Sequence, residues 1–347
     1  MKVGLFDHIA VADKPLSKVY DERVAFHAAA DEAGFYCIHI AEHHCAPICL
    51  APSPSVYLGI TARATKNIKL GPLCYLLPLY TPLRIVEEIC MLDHLSNGRM
   101  EIGIGRGVSP FEMNYNNVDH SRSREIFTDA YECVKAGLTS KTLNYAGTYY
   151  SYKEVPMWME PLQKPYPAFW YGSSNVTGAT FAGDEGMHFT ANGPTLFAKN
   201  NIDASRTAVQ KRGGAAQPKQ EFAGGAAIGL MRHIVVADTD EDAVRIARPA
   251  CDHHHASINW LRNKHNINEF TARLNVPRAH DLEGMIAEGS TIAGSPETVL
   301  NAIREQQEIT GINYLLAYMQ FGTMPLADAL RSLKLFRQHV MPELEKI

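Results

Sequence analysis

The sequence predicts a parallel (β/α)8 TIM barrel with insertion loops, as one domain over 1–347. Three observations carry that prediction. Strand-like and helix-like segments alternate eight times with no break in composition. Several of the strands are near-continuous apolar runs, the pattern of strands buried on both faces. Polar and small residues collect where those strands end, which is where a parallel barrel builds its site. A doubly wound open sheet is the other architecture that the same alternation allows.

In chain order, strands are predicted at 2–7, 37–42, 68–77, 100–105, 168–172, 187–191, 228–237 and 313–319. The helices between them fall at 21–34, 55–65, 82–96, 123–138, 176–185, 195–211, 239–260 and 296–311, with 325–345 closing the chain. Some boundaries have local causes. Thr81-Pro82 and Ser295-Pro296 each set a capping hydroxyl before a proline at the first helical position. Gly98, after Leu95-Ser96-Asn97, suits the left-handed residue that follows a helix. Two segments break the repeat: 109–122, which holds Phe111, Met113 and Tyr115, and the polar, weakly periodic stretch 259–291. The second is expected to be a mobile lid, with a plain surface loop as the alternative.

Composition excludes several classes. Hydrophobic residues make up 46% and charged residues 20%, enough for a large core and unlike a disordered chain. A net charge of -4 without any Lys/Arg run gives no nucleic-acid footprint. The apolar part of Met1-Lys2-Val3-Gly4-Leu5-Phe6-Asp7 is short for a signal segment, and no run approaches the roughly 20 residues that span a bilayer. The seven cysteines are an odd number set mostly within apolar patterns, as for reduced, buried thiols. The chain is expected to be soluble and cytoplasmic, away from membranes.

The chemistry sits at strand ends. Gly103-Ile104-Gly105-Arg106-Gly107 is not a dinucleotide fingerprint, because its glycines alternate. Alternating glycines clear room for a flat ligand, and Arg106 offers a permanently charged fork to a phosphate. A tight strand exit with an ion-paired arginine is the plain alternative. Tyr171-Gly172-Ser173-Ser174-Asn175-Val176-Thr177-Gly178 leaves a strand and enters a helix, so it can hold a phosphate on backbone N–H groups; simple capping by Ser173 or Ser174 would explain it equally. In Ala41-Glu42-His43-His44, alternation allows one histidine to face the site as proton manager, with Glu42 orienting it or pairing with a cation. A structural role for both histidines is the alternative. A metal is not expected, because Cys45 and Cys49 nearby lack a second, suitably spaced ligand pair. His253-His254-His255 cannot share one ion on a helix and reads as a solvated face.

Taken together, these motifs resemble the bacterial luciferase-like flavin monooxygenases. The resemblance runs through Ala41-Glu42-His43-His44, Leu76-Leu77-Pro78, Thr81-Pro82-Leu83-Arg84 and the string from Glu87 to Arg99. It continues through Gly103–107, Gly172-Ser173-Ser174 and the tail Ser332-Leu333-Lys334-Leu335-Phe336. It is weakest over 192–225 and 259–291. The resemblance implies a barrel, usually a homodimer, that takes reduced FMN from a separate NAD(P)H-dependent flavin reductase. The flavin reacts with O2 to a C4a-peroxide that attacks an organic substrate. By position, His43 matches the catalytic histidine, and Arg106, Ser174 and Thr177 match phosphate contacts. Ser173 stands where luciferase has a glutamate. Leu73 and Cys74 match a strand-end pair behind the isoalloxazine, where the family often has a cis peptide. Gly105 stands where luciferase has a reactive cysteine, which enlarges the pocket and counts against light emission.

Candidate walls of an apolar pocket are Tyr75, Leu77, Tyr80, Phe111, Met157, Trp158, Trp170 and His233, each of which core packing would also explain. Such a pocket suggests a small carbonyl or aromatic substrate. Two other functions fit the same barrel: a deazaflavin-dependent oxidoreductase exchanging hydride, and a non-catalytic flavin-binding subunit.

Overall fold

The structure is a computed structural model and describes residues 1–216, 221–222, 224–266 and 281–347. The strands are β1 (Lys2–Asp7), β2 (Cys37–Ile40), β3 (Lys69–Pro72), β4 (Tyr75–Leu76), β5 (Ile102–Gly105), β6 (Thr142–Ala146), β7 (Ser151–Pro156), β8 (Phe169–Gly172), β9 (His188–Ala191), β10 (Ile228–Val236), β11 (Thr291–Gly294) and β12 (Tyr314–Tyr318). The main sheet runs β3-β2-β1-β12-β10-β9-β8-β5-β4, with β11 added beside β10. Every pairing in it is parallel.

The sheet closes on itself between β3 and the lead into β5. Leu70 bridges Met100, its N–H donating to the Arg99 carbonyl at 3.0 Å while Glu101 N–H donates to the Leu70 carbonyl at 2.9 Å. With β3 and β4 as two halves of one stave, joined through a cis Leu73–Cys74 peptide, the ring is the expected eight-stave barrel. The open sheet is thereby ruled out. The strand patterns are almost wholly buried, from Leu5 and Ile38 to Leu316 and Tyr318.

Glycine makes this closure possible. A methyl on Gly71 would collide with the Glu101 carbonyl, one on Gly103 with the Pro72 carbonyl, and one on Gly105 with Cys74 Sγ. The alternating glycines therefore admit neighbouring backbone at Gly103 and the Cys74 side chain at Gly105, where the sequence suggested room for a flat ligand. Arg99, at the end of the long central motif, ties the seam from below. Its guanidinium donates to the carbonyls of Ile68 (2.6 Å) and Ala62 (2.7 Å) and to Thr65 Oγ1 (2.9 Å). Asn97 and Gly98 supply the left-handed turn (φ +57° and +77°) that aims it there.

Helices lie where the periodicity put them, with modest shifts at their ends. The Ser295 hydroxyl accepts the Thr298 N–H, but Thr81 makes no capping bond, leaving Pro82 alone to open its helix. Three strands escaped prediction. β6 and β7 form a separate, half-exposed antiparallel hairpin, and β11 begins at the last residue of the segment read as a lid. Of that segment, 267–280 lie outside the described residues; the rest holds short helices at Trp260–Lys264 and Leu282–Ala287. The seven cysteines are free thiols, five of them buried. Among the described residues no helix is long and apolar enough to cross a membrane.

Two glycine substitutions separate packing from propensity. Gly103→Ala should cost about 1–3 kcal/mol, because the added methyl meets rigid backbone. Gly59→Ala, in the helix Pro54–Ala64 with open space at its Cβ, should stabilise by about 0.5–1 kcal/mol. Urea unfolding of both variants checks the contrast, and equal effects would show that the seam is not tight.

Candidate active site

The C-terminal ends of four neighbouring staves, β2, β3/β4, β5 and β8, hold most of the residues singled out from sequence. His43 follows β2. Its Nδ1–H donates to Glu112 Oε1 at 3.1 Å. Glu112 is 4% exposed and rides on the short helix Pro110–Tyr115. The Ser109 hydroxyl caps that helix by accepting the Glu112 N–H at 3.3 Å, and Pro110 opens it. Burial works against a charged His43, but the charge and hydrogen bond of Glu112, helped by Glu42, outweigh it and raise the imidazole above its ordinary value.

His44 turns the other way. Its Nε2–H donates to Glu42 Oε1 at 2.8 Å, while Glu42 Oε2 accepts from Leu76 N–H (3.1 Å) and the Tyr80 hydroxyl (2.9 Å). Glu42 thus fastens β2 to β4 and holds His44; it does not orient His43. One histidine faces the mouth, as the alternation predicts.

Across the seam, Arg106 leaves β5 and donates to Ser123 Oγ at 3.3 Å, in addition to other interactions. Arg106 and Arg124 both lower Tyr171 on β8; burial and Cys74 nevertheless push that phenol up to about 12. The Tyr171 ring borders Gly178 in the first turn of the helix Val176–Asp184. That helix is capped by Asn175, whose Oδ1 accepts the Gly178 N–H at 2.9 Å. Capping by Ser173 or Ser174 is therefore corrected: the Ser173 hydroxyl bonds to the Asn175 backbone, at 3.2 Å. Thr177 lies exposed in the first turn, and the Leu73 side chain approaches the exit of β8 at Gly172.

Several expected pocket walls lie elsewhere. Tyr75 is fully buried and its hydroxyl bonds Ser55 Oγ at 2.6 Å, outside the ring toward a helix. Trp170 is fully buried in the lower half of the barrel. Its Nε1–H donates to Glu101 Oε2 at 2.6 Å and its ring packs on His39, His188 and Tyr314. Leu77 and Met157 belong to the core, and Trp158 is 93% exposed. Phe111 does stand above the mouth, stacked on His265 at 4.3 Å. Tyr115 holds the same imidazole through a 2.7 Å hydrogen bond, so the two irregular segments meet.

His233 also reaches the mouth, but in company that sequence reasoning missed. His8, one residue past β1, stacks on His43 with ring centroids 5.5 Å apart. It also contacts His254 and Tyr318, and His233 packs on both of these. His254 is 7% exposed, which corrects the solvated-face reading. The signal was present: Ala243, Ala247, Ala250, Cys251 and His254 form one buried helical stripe. Ser109-Pro110-Phe111-Glu112 likewise carries the capping-box spacing that would have pointed to Glu112. Among the described residues no cluster of His, Cys, Asp and Glu is arranged to hold a metal.

The family model for luciferase-like monooxygenases matches residues 1–313. An uncharacterized protein of Sinorhizobium fredii, y4wF, is 32% identical, with 97% of this chain and 96% of that protein covered. The oxygenase component of a flavin-dependent trigonelline monooxygenase from Acinetobacter baylyi is 26% identical, covering 78% and 74%. Among solved structures, the oxygenating constituent of 3,6-diketocamphane monooxygenase from Pseudomonas putida, in complex with FMN, shares the fold. Its TM-score is 0.80 at 20% identity, covering 99% and 98%. A coenzyme F420-dependent tetrahydromethanopterin reductase from Methanopyrus kandleri shares it as well, with a TM-score of 0.72 at 16% identity over 99% of both chains. The strand-end histidine, the arginine across the seam, the closed parallel barrel and the match along nearly the whole chain converge: this enzyme belongs to the luciferase-like monooxygenase family.

Proposed function

We propose that this protein is the oxygenase component of a two-component system. It takes reduced FMN from a separate NAD(P)H-dependent flavin reductase and uses O2 to oxygenate a small organic substrate with a carbonyl or aromatic body. The observation that carries this reading is the His43–Glu112 pair set across the barrel seam from Arg106. A protein that only bound flavin would have no use for a buried carboxylate holding a histidine proton. The trigonelline enzyme, a flavin-dependent oxygenase component, supports the same reading.

The donor set suits FMN. Arg106 supplies a fixed charge for the phosphate, Ser174 and Thr177 supply hydroxyls, and the first turn of Val176–Asp184 supplies N–H groups and a positive helix end. Ser173 borders this set. Leu73, Cys74 and Gly105 at the seam would back the ring system. When bound, reduced FMN provides the two electrons that activate O2.

The chain's own residues manage the proton. Glu112 holds His43 Nδ1–H, so Nε2 is the nitrogen that His43 turns to the mouth. Raised above its ordinary value, His43 keeps that Nε2–H available near neutral pH and donates it to a developing oxyanion. Phe111 and His265 cover the approach and limit water. A homodimer fits the exposed Val56, Ile60, Met91 and Leu95 on two neighbouring helices, Pro54–Ala64 and Pro82–Leu95. A deazaflavin reading has one observation in its favour, the second cation Arg124 near Tyr171; tighter binding of F420 than of FMN would select it.

Three variants test the assignment. Arg106→Ala should weaken FMN about tenfold to a hundredfold while leaving riboflavin nearly unchanged. Fluorescence titration with both ligands decides it, and equal losses would remove Arg106 from the phosphate. His43→Ala should retain FMN but slow substrate oxygenation about a hundredfold or more, with the electrons diverted to hydrogen peroxide. Measured coupling that stays intact would end the proton role. Glu112→Gln should lower the His43 pKa, followed by NMR titration of the ring. Because the folded value in the native protein is raised, the pair stabilises fully below the unfolded value and loses that contribution as pH rises through the folded one. The variant's stability should accordingly lose this pH dependence.

A further inference from the structure

Beside His43, the other half of the mouth holds buried imidazoles with atoms left over. Among the described residues, His8 Nδ1, His233 Nε2 and His254 Nδ1 have neither solvent contact nor a hydrogen-bond partner. The three rings are 6%, 7% and 7% exposed and come from the exit of β1, from β10 and from the helix Asp240–Ile258. They form one contiguous group around Tyr318, and His8 joins that group to His43. A buried polar atom without a partner carries its full desolvation penalty, so three in one cluster call for a ligand that satisfies them. The rings pack edge-on and tilted against one another, which suits a shared hydrogen-bonding surface and not convergence on an ion.

The charges nearby choose the ligand's sign. Asp7 is held by Arg23, by His27 at 3.2 Å and by the Ile9 N–H at 2.7 Å. Glu112 is taken by His43, and Glu42 by His44 and Tyr80. These three carboxylates are therefore engaged, and a cationic ligand would meet no free counter-charge among them. Imidazoles, in contrast, can each turn an N–H to an acceptor and can take a proton to match a negative charge. We propose that His8, His233 and His254 form a substrate subsite for an organic carboxylate, adjoining His43, that binds its ligand together with a proton. Calling the ligand a substrate rests on the oxygenase reading above; the subsite itself does not.

The electrostatics agree with that geometry. Burial holds His8 and His254 well below the ordinary histidine range and lowers His233 to about 4. His8 faces the charges of His43, His254, His233 and Arg23, all of which oppose its protonation. His254 meets His233, His253, His255 and His43 in the same sense, and His233 meets Arg232, with a Ser290 backbone hydrogen bond partly offsetting. The free cluster is thus neutral at pH 7. A bound carboxylate reverses the balance, so affinity rises as pH falls through the bound-state value and is lost above it.

The test uses benzoate, phenylacetate and nicotinate against their amides, with the full-length protein, with and without FMN. Isothermal titration in phosphate and Tris buffers should show uptake of about one proton per carboxylate, and affinity should fall about tenfold per pH unit across the linked range. The amides should bind weakly and without uptake. The double variant His8→Gln/His254→Gln keeps hydrogen-bonding side chains but cannot take up a proton at those positions. It should lose about tenfold in carboxylate affinity at pH 6 and reduce the uptake, with FMN affinity and thermal unfolding unchanged. Should the double variant not fold, His254→Gln alone is read in the same way. Carboxylates that bind no better than amides, or without proton uptake, overturn the subsite even if FMN binds normally. Failure of FMN to bind, with carboxylate uptake intact, would instead overturn the oxygenase reading and leave the subsite standing.

Discussion

The approach of β3 to the lead-in of β5 is the constraint from which the rest of the molecule follows. At Gly71 and Gly103 the two backbones are so close that no Cβ fits between them. That contact turns an open sheet into a ring, because it joins the two ends of the strand order. It also decides which staves are neighbours at the mouth. Without it, His43 after β2 and Arg106 after β5 would stand toward opposite edges of a sheet; with it their strands flank a single stave. The Arg99 guanidinium, bound to three carbonyls and a hydroxyl around the helix Pro54–Ala64 and the lead into β3, fixes the lower end of the same seam. The long central motif thus serves the site from a distance, through architecture.

Closure also divides the mouth in two. The staves β3/β4, β5 and β8 bring small residues, hydroxyls, a helix N-terminus and Arg106, the half of the mouth to which we assign the flavin phosphate. The staves β1, β10 and β12 bring His8, His233 and Tyr318, with His254 leaning in from its helix. His43 on β2 lies at the boundary. A flavin on one side and a second ligand on the other would both reach that imidazole, and a proton held there serves the reaction between them.

Much of this was legible because barrel chemistry obeys a positional rule. Eight apolar runs gave the staves, and their last residues gave His43, Arg106 and the Ser173–Thr177 turn. What escaped depends on dimensions that a linear pattern does not encode. Alternation tells which face a strand residue takes but not its height in the barrel, so Trp170 reads as a wall although it is bound to Glu101 in the lower half. Tyr75 faces outward to Ser55 for the same reason of unseen depth and side. The alternating glycines looked like room for a ligand, since a sequence does not reveal that the adjacent strand fills it. β6 and β7, with their mixed burial, carry no core period to read. His254 was recoverable, since it completes a buried stripe, but three histidines in a row draw attention to one another and away from the helix register.

Neighbouring imidazoles at the mouth are tuned in opposite directions. His43 and His8 stack 5.5 Å apart, yet one is raised and the other lowered. Burial penalises both, so burial does not explain the difference. Glu112 does, since its carboxylate belongs to His43 alone. Once His43 carries a proton, its charge adds to the reasons for His8 and His254 to stay neutral. Of these neighbouring rings, His43 is the one that favours a proton, and under the proposed subsite the others would gain one only together with an anion. A single buried carboxylate on a short helix thereby raises one imidazole among neighbours that burial lowers.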